Sequence, residues 1–510
     1  MREINMRRYL LLVILWICEA TTSSPCIHRD FGNGGTVCVC NATYCDTNPE
    51  VAVPEIGKFV QYTSSKDGLR LSVTQGAFTD KSDKADQIIE VNPQTTYQSI
   101  YGFGGAFTDA AGINIKTLSP GAQENLLRSY FTKEGSNYNL GRLPIGGCDF
   151  STRKYTYDDV ANDLRLEHFN LAEEDLVYKI PFMQKALKMN PELNFLAAAW
   201  SAPPWMKTNN DYTGFGFLRK EFYQLYADYH MKFLDVYKSY GLEMWAISTG
   251  NEPSNGIIPL NGFNSLGWTP NQMGKWIAEN LGPTLRNTEH NKTKILALDD
   301  QRFSLPWYVN LVFANKVAKD YTDGIAIHWY WDSLPAWVVD RMHIDHPEKF
   351  IIMTEASVGD KPWNFKKVVL GSWKRGEQYI EDIIENLEHW VTGWVDWNLA
   401  LDEKGGPNWK KNFVDSAIII KADNDEFYKQ PMYYAIAHFS KFIPRNSLRI
   451  DTTKSSKYIK TVGFRTPDNN SVLVLYNTRS KKRSVSIRDP ERGNIYLSLP
   501  PKSIHTIVYK

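Results

Sequence analysis

The sequence predicts an α/β fold, a closed (β/α)8 TIM barrel, and three observations carry that prediction. Short apolar runs alternate with amphipathic stretches, the runs number eight, and acids, amides and aromatic rings stand where the runs end. Alternating strand-like and helix-like patterns signal βα units, and eight strands close a barrel that its own side chains can fill. The 510 residues exceed what one core usually holds, so smaller attachments beside one large domain are expected.

The N-terminus comes first. Arg2, Arg7 and Arg8 precede the apolar run Y-L-L-L-V-I-L-W-I from Tyr9 to Ile17, and small residues follow through Ser24. This pattern predicts a secretory signal over 1–24, too short to span a bilayer. Without its three Arg and two Glu the chain is formally neutral, which speaks against a nucleic-acid partner. No second run of about 18 apolar residues follows, so a soluble protein of a lumen or of the extracellular space is expected. Hydrophobic residues make up 43% of the chain and aromatic ones 13%, a load that suits a large core and ring-stacking sites equally.

Cys18 leaves with the signal, Cys26, Cys38, Cys40 and Cys45 crowd together, and Cys148 stands alone. In an oxidising compartment the cluster predicts two disulfides. A zinc site is the alternative, but C-x11-C-x-C-x4-C lacks a C-x2-C knuckle and no His follows closely. Cys148 has no His or basic neighbour to activate it and reads as a buried thiol. Sequons at Asn41, Asn291 and Asn469 predict a glycosylated surface.

The eight strands are read at 99–105, 138–146, 194–200, 243–249, 294–298, 323–329, 349–354 and 391–397. Helices are read at 173–189, 219–239, 271–286, 306–318 and 377–390, where apolar residues recur at three and four. Barrel chemistry sits at the C-terminal ends of strands. Those ends collect Asp149 and Phe150, Trp200, Asn251 and Glu252, Asp299 and Asp300, His328 and Tyr330, Glu355, then Trp397 and Asn398.

Two carboxylates therefore project over one pocket: Glu252, in S-T-G-N-E-P-S, ends the fourth run and Glu355, in I-I-M-T-E-A, ends the seventh. A glycosidase needs such a pair. Carboxyl groups about 5–5.5 Å apart retain anomeric configuration and groups about 6.5–9.5 Å apart invert it, a choice the sequence leaves open. Asn251 can hydrogen-bond a sugar 2-hydroxyl in the charged transition state. Each residue also has a plainer reading: N-E-P-S as a wet turn, Glu355 as a strand-end ion pair, Trp200 and Trp397 as core rings, His328 as a satisfied core residue and Asp149 as a loop cap.

Longer motifs go further. C-V-C-N-A-T-Y-C, Y-G-F-G-G-A-F-T-D-A-A, L-D-D-Q-R, I-A-I-H-W-Y, D-W-N-L-A-L and G-G-P-N-W-K-K-N-F-V-D-S closely resemble the acid β-glucosidases of glycoside hydrolase family 30, and the likeness covers essentially all of the chain after the signal. The resemblance implies a retaining double displacement on the β-glucosidic bond of glucosylceramide, with Glu252 as acid/base and Glu355 as nucleophile. It implies that Asp149, Trp200, Asn251 and Trp397 hold the glucose hydroxyls and ring, with His328, Tyr330 and Asn412 near the nucleophile and Arg142 and Trp329 in support. No cofactor and no metal are expected.

Strand-like alternation such as S-V-L-V-L-Y from Ser471 to Tyr476 marks the chain ends. The resemblance implies an attached β-sandwich built from N- and C-terminal segments, 50–97 and 447–510. A small disulfide-containing β-sheet subdomain would comprise 25–49 and 399–430, and the catalytic barrel 98–398 and 431–446. It also implies a lysosomal lumen, a saposin-type activator and an anionic lipid membrane surface as partners. Gly250 and Asn261 depart from the family pattern, which has a carboxylate and a tyrosine there, so a different site entrance is expected. Two further readings stand: a related glycosidase acting on another β-glycoside such as a xyloside, and a non-catalytic glycolipid-binding protein. The paired carboxylates and Asn251 disfavour the second.

Overall fold

The computed structural model describes residues 23–79, 85–259 and 262–510. Residues 1–22 of the expected signal, and Asn261, lie outside the described residues. Eight parallel strands close a barrel in sequence order: β1 (Gly102–Ala106), β2 (Leu140–Ile145), β3 (Asn194–Ala199), β4 (Met244–Ser248), β5 (Lys294–Gln301), β6 (Gly324–His328), β7 (Phe350–Glu355) and β8 (Val391–Asn398). All eight expected strands are present. Their runs look continuously apolar because both faces are buried. Leu140, Leu196, Ala246, Leu296, Ala326, Ile352 and Val395, one per strand from β2 to β8, form one cluster, while flanking residues such as Phe195, Ile247, Ile325, Ile351 and Trp394 join the large core under the helices.

β5 runs three residues past its expected end. A bulge shifts its register between Leu298 and Asp300, and Leu298 and Asp299 take φ of 75° and 52°. The bulge lets the pairing with β6 resume through Gln301, which carries polar side chains onto the site face. Helical structure falls in each of the five expected stretches, but 306–318 is not one helix: Trp307–Phe313 ends and Asn315 caps a second, Lys316–Tyr321. Trp373–Glu388 buries Trp373, Tyr379, Ile380, Ile383, Ile384 and Leu387 along one stripe.

The two chain ends meet in a nine-stranded sheet. Lys58–Ser65, Ser72–Ala77 and Gln87–Ser99 from the N-terminal side pair among Leu448–Thr452, Ile459–Arg465, Ser471–Asn477, Arg483–Asp489, Gly493–Leu499 and Ser503–Tyr509. Strand Ser471–Asn477 serves two cores at once: Leu473 and Leu475 face the sandwich interior, and Val472, Val474 and Tyr476 face the barrel side. A separate five-stranded sheet joins His28–Asp30 and Thr36–Asn41 to Glu426–Lys429, Ile418–Lys421 and Leu401–Asp402. Disulfides Cys26–Cys38 and Cys40–Cys45 staple it, which takes the thiolates a zinc ion would need, and Cys148 is free and buried. Asn291 and Asn469 are exposed, and Asn41 is half-buried with its Oδ1 accepting from the backbone of Thr43 and Tyr44.

β1 is glycine-rich because its neighbours come close. A Cβ on Gly104 would lie 1.8 Å from the Leu140 carbonyl oxygen, and one on Gly102 would lie 1.9 Å from Asn139 Oδ1. The Leu140 obstacle is backbone and has no rotamer to escape through. Gly104→Ala is therefore expected to destabilise the barrel by about 1–3 kcal/mol or more. Thermal unfolding of the variant against the native chain checks this, and an unchanged Tm would contradict the close approach.

Candidate active site

The polar side chains gather at the C-terminal rim of the barrel, in a cleft of about 370 Å³ that includes Asp149, Trp200, Glu252, Glu355, Trp397 and Asn412. The turn after β4 carries one of its acids. After β4 the chain enters Gly250 at φ 133°, a conformation that glycine adopts freely. A Cβ there would have room, its nearest neighbour being Trp268 Nε1 at 3.6 Å, so backbone rather than space calls for glycine. Glu252 then takes φ 44° ahead of Pro253, a left-handed conformation that costs about 1–3 kcal/mol in a non-glycine residue. It is held there by N–H donation from Glu252 to the Asp299 carbonyl and from Asn251 to the Ala199 carbonyl, both 2.9 Å.

The two carboxylates have different partners. Glu252 Oε1 accepts from Gln301 Nε2 at 2.7 Å and pairs with His328 Nδ1 at 3.0 Å, and its Oε2 accepts from the Asn255 amide. Glu355 Oε2 accepts from the Arg142 guanidinium, and its Oε1 accepts from the Tyr330 hydroxyl at 2.6 Å. One oxygen of Glu252 and one of Glu355 lie within 4.8 Å of each other and of a His328 ring nitrogen.

Behind them runs a buried ionic chain. Arg142 Nη2 donates to Asn251 Oδ1 at 2.7 Å and to Asp299 Oδ2 at 3.1 Å, and Asp299 Oδ1 pairs with His328 Nε2 at 3.0 Å and accepts from the Thr354 hydroxyl at 2.6 Å. Burial works against the imidazolium, but the charges of Glu355, Asp299 and Glu252 outweigh it and push His328 up to about 10. The ring therefore carries two protons and donates from both nitrogens. Burial also opposes the charge on Asp299, yet Arg142 and His328 hold that carboxyl well below the ordinary range. Trp200 and Trp397 stack on each other at 5.2 Å and cover the Arg142 guanidinium at 4.9 and 5.3 Å.

Burial, with the charge of Glu355 behind it, raises Asp149 to about 7. The carboxyl accepts from Asn408 at 3.2 Å and Asn412 at 3.3 Å and faces the cleft. Asp149, Trp200, Asn251, His328, Tyr330, Trp397 and Asn412 thus all sit at or beside the pair. His328 is near both carboxylates, although its hydrogen bonds go to Glu252 and Asp299, and Asn412 bonds Asp149. Trp329 stands behind, packed on Tyr379 and Trp394 with its indole N–H on the Ser357 carbonyl. Gln301, Asn255 and Asn408 escaped the sequence reading; Gln301 reaches Glu252 only because of the β5 bulge.

Several buried carboxyls share one pH dependence. Burial raises Asp300 and Asp382 to about 6 and Asp396 to about 8, beside Asp149 at about 7. A carboxyl whose folded pKa is raised contributes stability fully below its unfolded value, about 4, and loses it as pH climbs through the folded value. His328 has the same sign, its contribution being lost toward about 10. The window of loss is therefore about pH 4 to 8 for the carboxyls. Buried His230, His438 and His505, whose values burial lowers, act with the opposite sign below about pH 6.5. Asp396→Asn is therefore expected to raise Tm at about pH 8 relative to its value at about pH 5 when compared with the native chain, and an identical pH profile of the two in scanning calorimetry would refute it.

Comparison with known proteins agrees with this fold. Residues 100–443 match the glycosyl hydrolase family 30 TIM-barrel domain and residues 446–507 the family's beta sandwich domain. The chain is 43% identical over 510 residues to the lysosomal acid glucosylceramidase of Mus musculus, covering 98% of each. It is 42% identical over 484 residues to putative glucosylceramidase 3 of Caenorhabditis elegans, covering 93% of this chain and 92% of that one. Among solved structures, SrfJ from Salmonella typhimurium superposes with a TM-score of 0.83 at 29% identity, over 89% of this chain and 99% of that one. The endo-beta1,6-glucanase BT3312 superposes with a TM-score of 0.77 at 26% identity, over 88% and 99%. A barrel with two facing carboxylates, two matched domains and end-to-end relatives together establish that this chain is a glycoside hydrolase and belongs to glycoside hydrolase family 30.

Proposed function

We propose that the chain is a retaining β-glucosidase that hydrolyses glucosylceramide to glucose and ceramide in the lysosomal lumen. The observation that carries the mechanism is the approach of Glu252 and Glu355 oxygens to within 4.8 Å. So close an approach supports the narrow spacing of a retaining pair, about 5–5.5 Å between carboxyl groups, over the wider spacing of an inverting one. Glu355 is the nucleophile: Arg142 and Tyr330 fix its two oxygens, so one lone pair is aimed at the anomeric carbon. Glu252 gives a proton to the leaving oxygen as the glucosyl–Glu355 ester forms. It then takes one from the water that hydrolyses the ester. Asn251, anchored by Arg142, stands where the sugar 2-hydroxyl passes. Asp149 with Asn412 accepts and donates to hydroxyls at the far end of the ring, and the stacked Trp200 and Trp397 supply an apolar face.

The glucosylceramidase relatives support a lipid aglycone, and so does the rim. Trp331, Trp337, Trp363 and Phe365 are 56%, 60%, 68% and 94% exposed, and the Lys361 ammonium lies 5.8 Å from the Trp331 ring. Aromatic side chains beside cations suit an anionic bilayer surface and a saposin-type activator that presents ceramide.

Glucose release from glucosylceramide in anionic vesicles at mildly acid pH tests the proposal. Glu355→Gln is expected to abolish release. Glu252→Gln should slow it about 10²–10⁴-fold, with azide restoring turnover of an activated aryl glucoside. Proton NMR should show β-glucose as the first anomer formed. An α first product would overturn retention, and activity on a β-xyloside but not the glycolipid would overturn the substrate.

A further inference from the structure

Two turns of the sandwich lie side by side. One, residues 453–458, joins Leu448–Thr452 to Ile459–Arg465; the other, residues 478–482, joins Ser471–Asn477 to Arg483–Asp489. The Thr478 N–H donates to the Tyr458 carbonyl at 3.0 Å and its hydroxyl to the Lys457 carbonyl at 2.8 Å. Residues 478–483 read T-R-S-K-K-R, and Lys457, Arg479, Lys481 and Lys482 are exposed. Lys457 Nζ and the guanidinium carbons of Arg479 and Arg483 lie 5.0, 5.2 and 5.2 Å from the centre of the Tyr458 ring.

The positive charge is not balanced locally. Arg483 pairs with Asp86 at 3.3 Å, but among the described residues Lys457, Arg479, Lys481 and Lys482 have no carboxylate at ion-pair distance. Crowded like charges repel, and an exposed ring returns only about 0.5–1 kcal/mol per cation. The turn is nevertheless held rigid. Buried Asn477 donates from Nδ2 to the carbonyls of Lys481 at 3.0 Å and Pro500 at 2.7 Å, and its Oδ1 accepts from the Arg479 N–H at 3.0 Å. The Lys502 N–H donates to the Arg479 carbonyl at 2.8 Å. In a chain that is formally neutral after its expected signal, this fixed excess of cations fits a polyanion.

The surroundings select the kind of polyanion. Tyr458 is the one aromatic ring in the two turns and cations flank it, so the surface has no apolar anchor to sink into a bilayer and no row of rings on which bases would stack. The two disulfides belong to an oxidising compartment, where the polyanions at hand are sulfated polysaccharides. Short Lys/Arg-rich runs suit such chains. We propose that these two turns are a docking surface for a linear, heparin-type sulfated polysaccharide. Its sulfate oxygens accept from Arg479, Lys481 and Lys482 on one turn and from Lys457 on the other, while Tyr458 holds the cations together. None of these residues lines the catalytic cleft, so docking anchors the enzyme without entering the site, whatever its substrate.

Calorimetric titration of the full chain with a heparin octasaccharide at neutral pH, in about 50 and about 200 mM salt, tests this. Saturable binding is expected, with log K falling against log salt at a slope of about −3, as four ion contacts require. De-sulfated heparin of the same length should bind at least about tenfold more weakly. Arg479→Gln and, separately, the pair Lys481→Ser and Lys482→Ser change only exposed side chains. Each should cost at least about threefold in affinity at the lower salt and flatten the slope, with Tm and turnover of an aryl glucoside unchanged. No saturable binding, equal binding of the de-sulfated chain, or native affinity in both variants would overturn the surface. Tighter capture by phosphatidylserine vesicles than by the oligosaccharide, lost in the same variants, would assign the turns to a membrane and overturn the polysaccharide.

Discussion

Much of the site depends on one buried cation. Arg142 on β2 is wholly enclosed, and a guanidinium in that position is tolerated only because Asp299, Glu355 and Asn251 meet it from β5, β7 and the turn after β4. His328 on β6 joins the chain through Asp299. Charges in a medium of low polarity attract strongly, and removing one member leaves the rest uncompensated, at about 3–5 kcal/mol. The network therefore fixes the relative height of the strands that present the reacting groups. It also leaves the two carboxylates in unlike surroundings: Glu355 bears on a permanent cation, whereas Glu252 sits among neutral amides and one imidazolium.

Backbone strain at Glu252 belongs to the same design. The residue is held in the left-handed region by hydrogen bonds to carbonyls of β3 and β5 neighbours, so closure of the barrel supplies the restraint that the local sequence resists. Gly250, two residues earlier, absorbs the turn that makes this possible. Its departure from the family pattern thus has a backbone reason here.

The barrel was legible because a strand buried on both faces must be apolar throughout, and because charges such as Glu252 and Glu355 mark where such a run ends. Helix stripes such as that of Trp373–Glu388 were legible for the same reason, burial on a fixed period. What the residue pattern could not show was distance and register. The β5 bulge appears only in the pairing with β6, where the register skips from Leu298 to Asp300, and L-A-L-D-D-Q carries no local mark of it, so Gln301 was missed. Asn255 reaches Glu252 through a single short turn beyond Pro253. Cysteine spacing allowed three pairings, and only the fold of the small sheet selects Cys26–Cys38 and Cys40–Cys45.

The sheet that unites the chain ends has a consequence for biosynthesis. Lys58–Ser65 pairs from Phe59 onward with the whole of Ser503–Tyr509, and Gln87–Ser99 pairs with Leu448–Thr452 and Arg483–Asp489. Lys58–Ser65 can pair early with Ser72–Ala77 on one edge, but when these strands leave the ribosome the partners of their other edges are more than three hundred residues from being made. Contacts of such sequence separation form late and slowly, so an early-emerging, unpaired β segment must be kept from pairing with other nascent chains until translation ends. A chain of this topology leaves those strand edges open for most of its synthesis. Loss of Ser503–Tyr509 would remove an interior strand of this sheet, between Ser471–Asn477 and Lys58–Ser65.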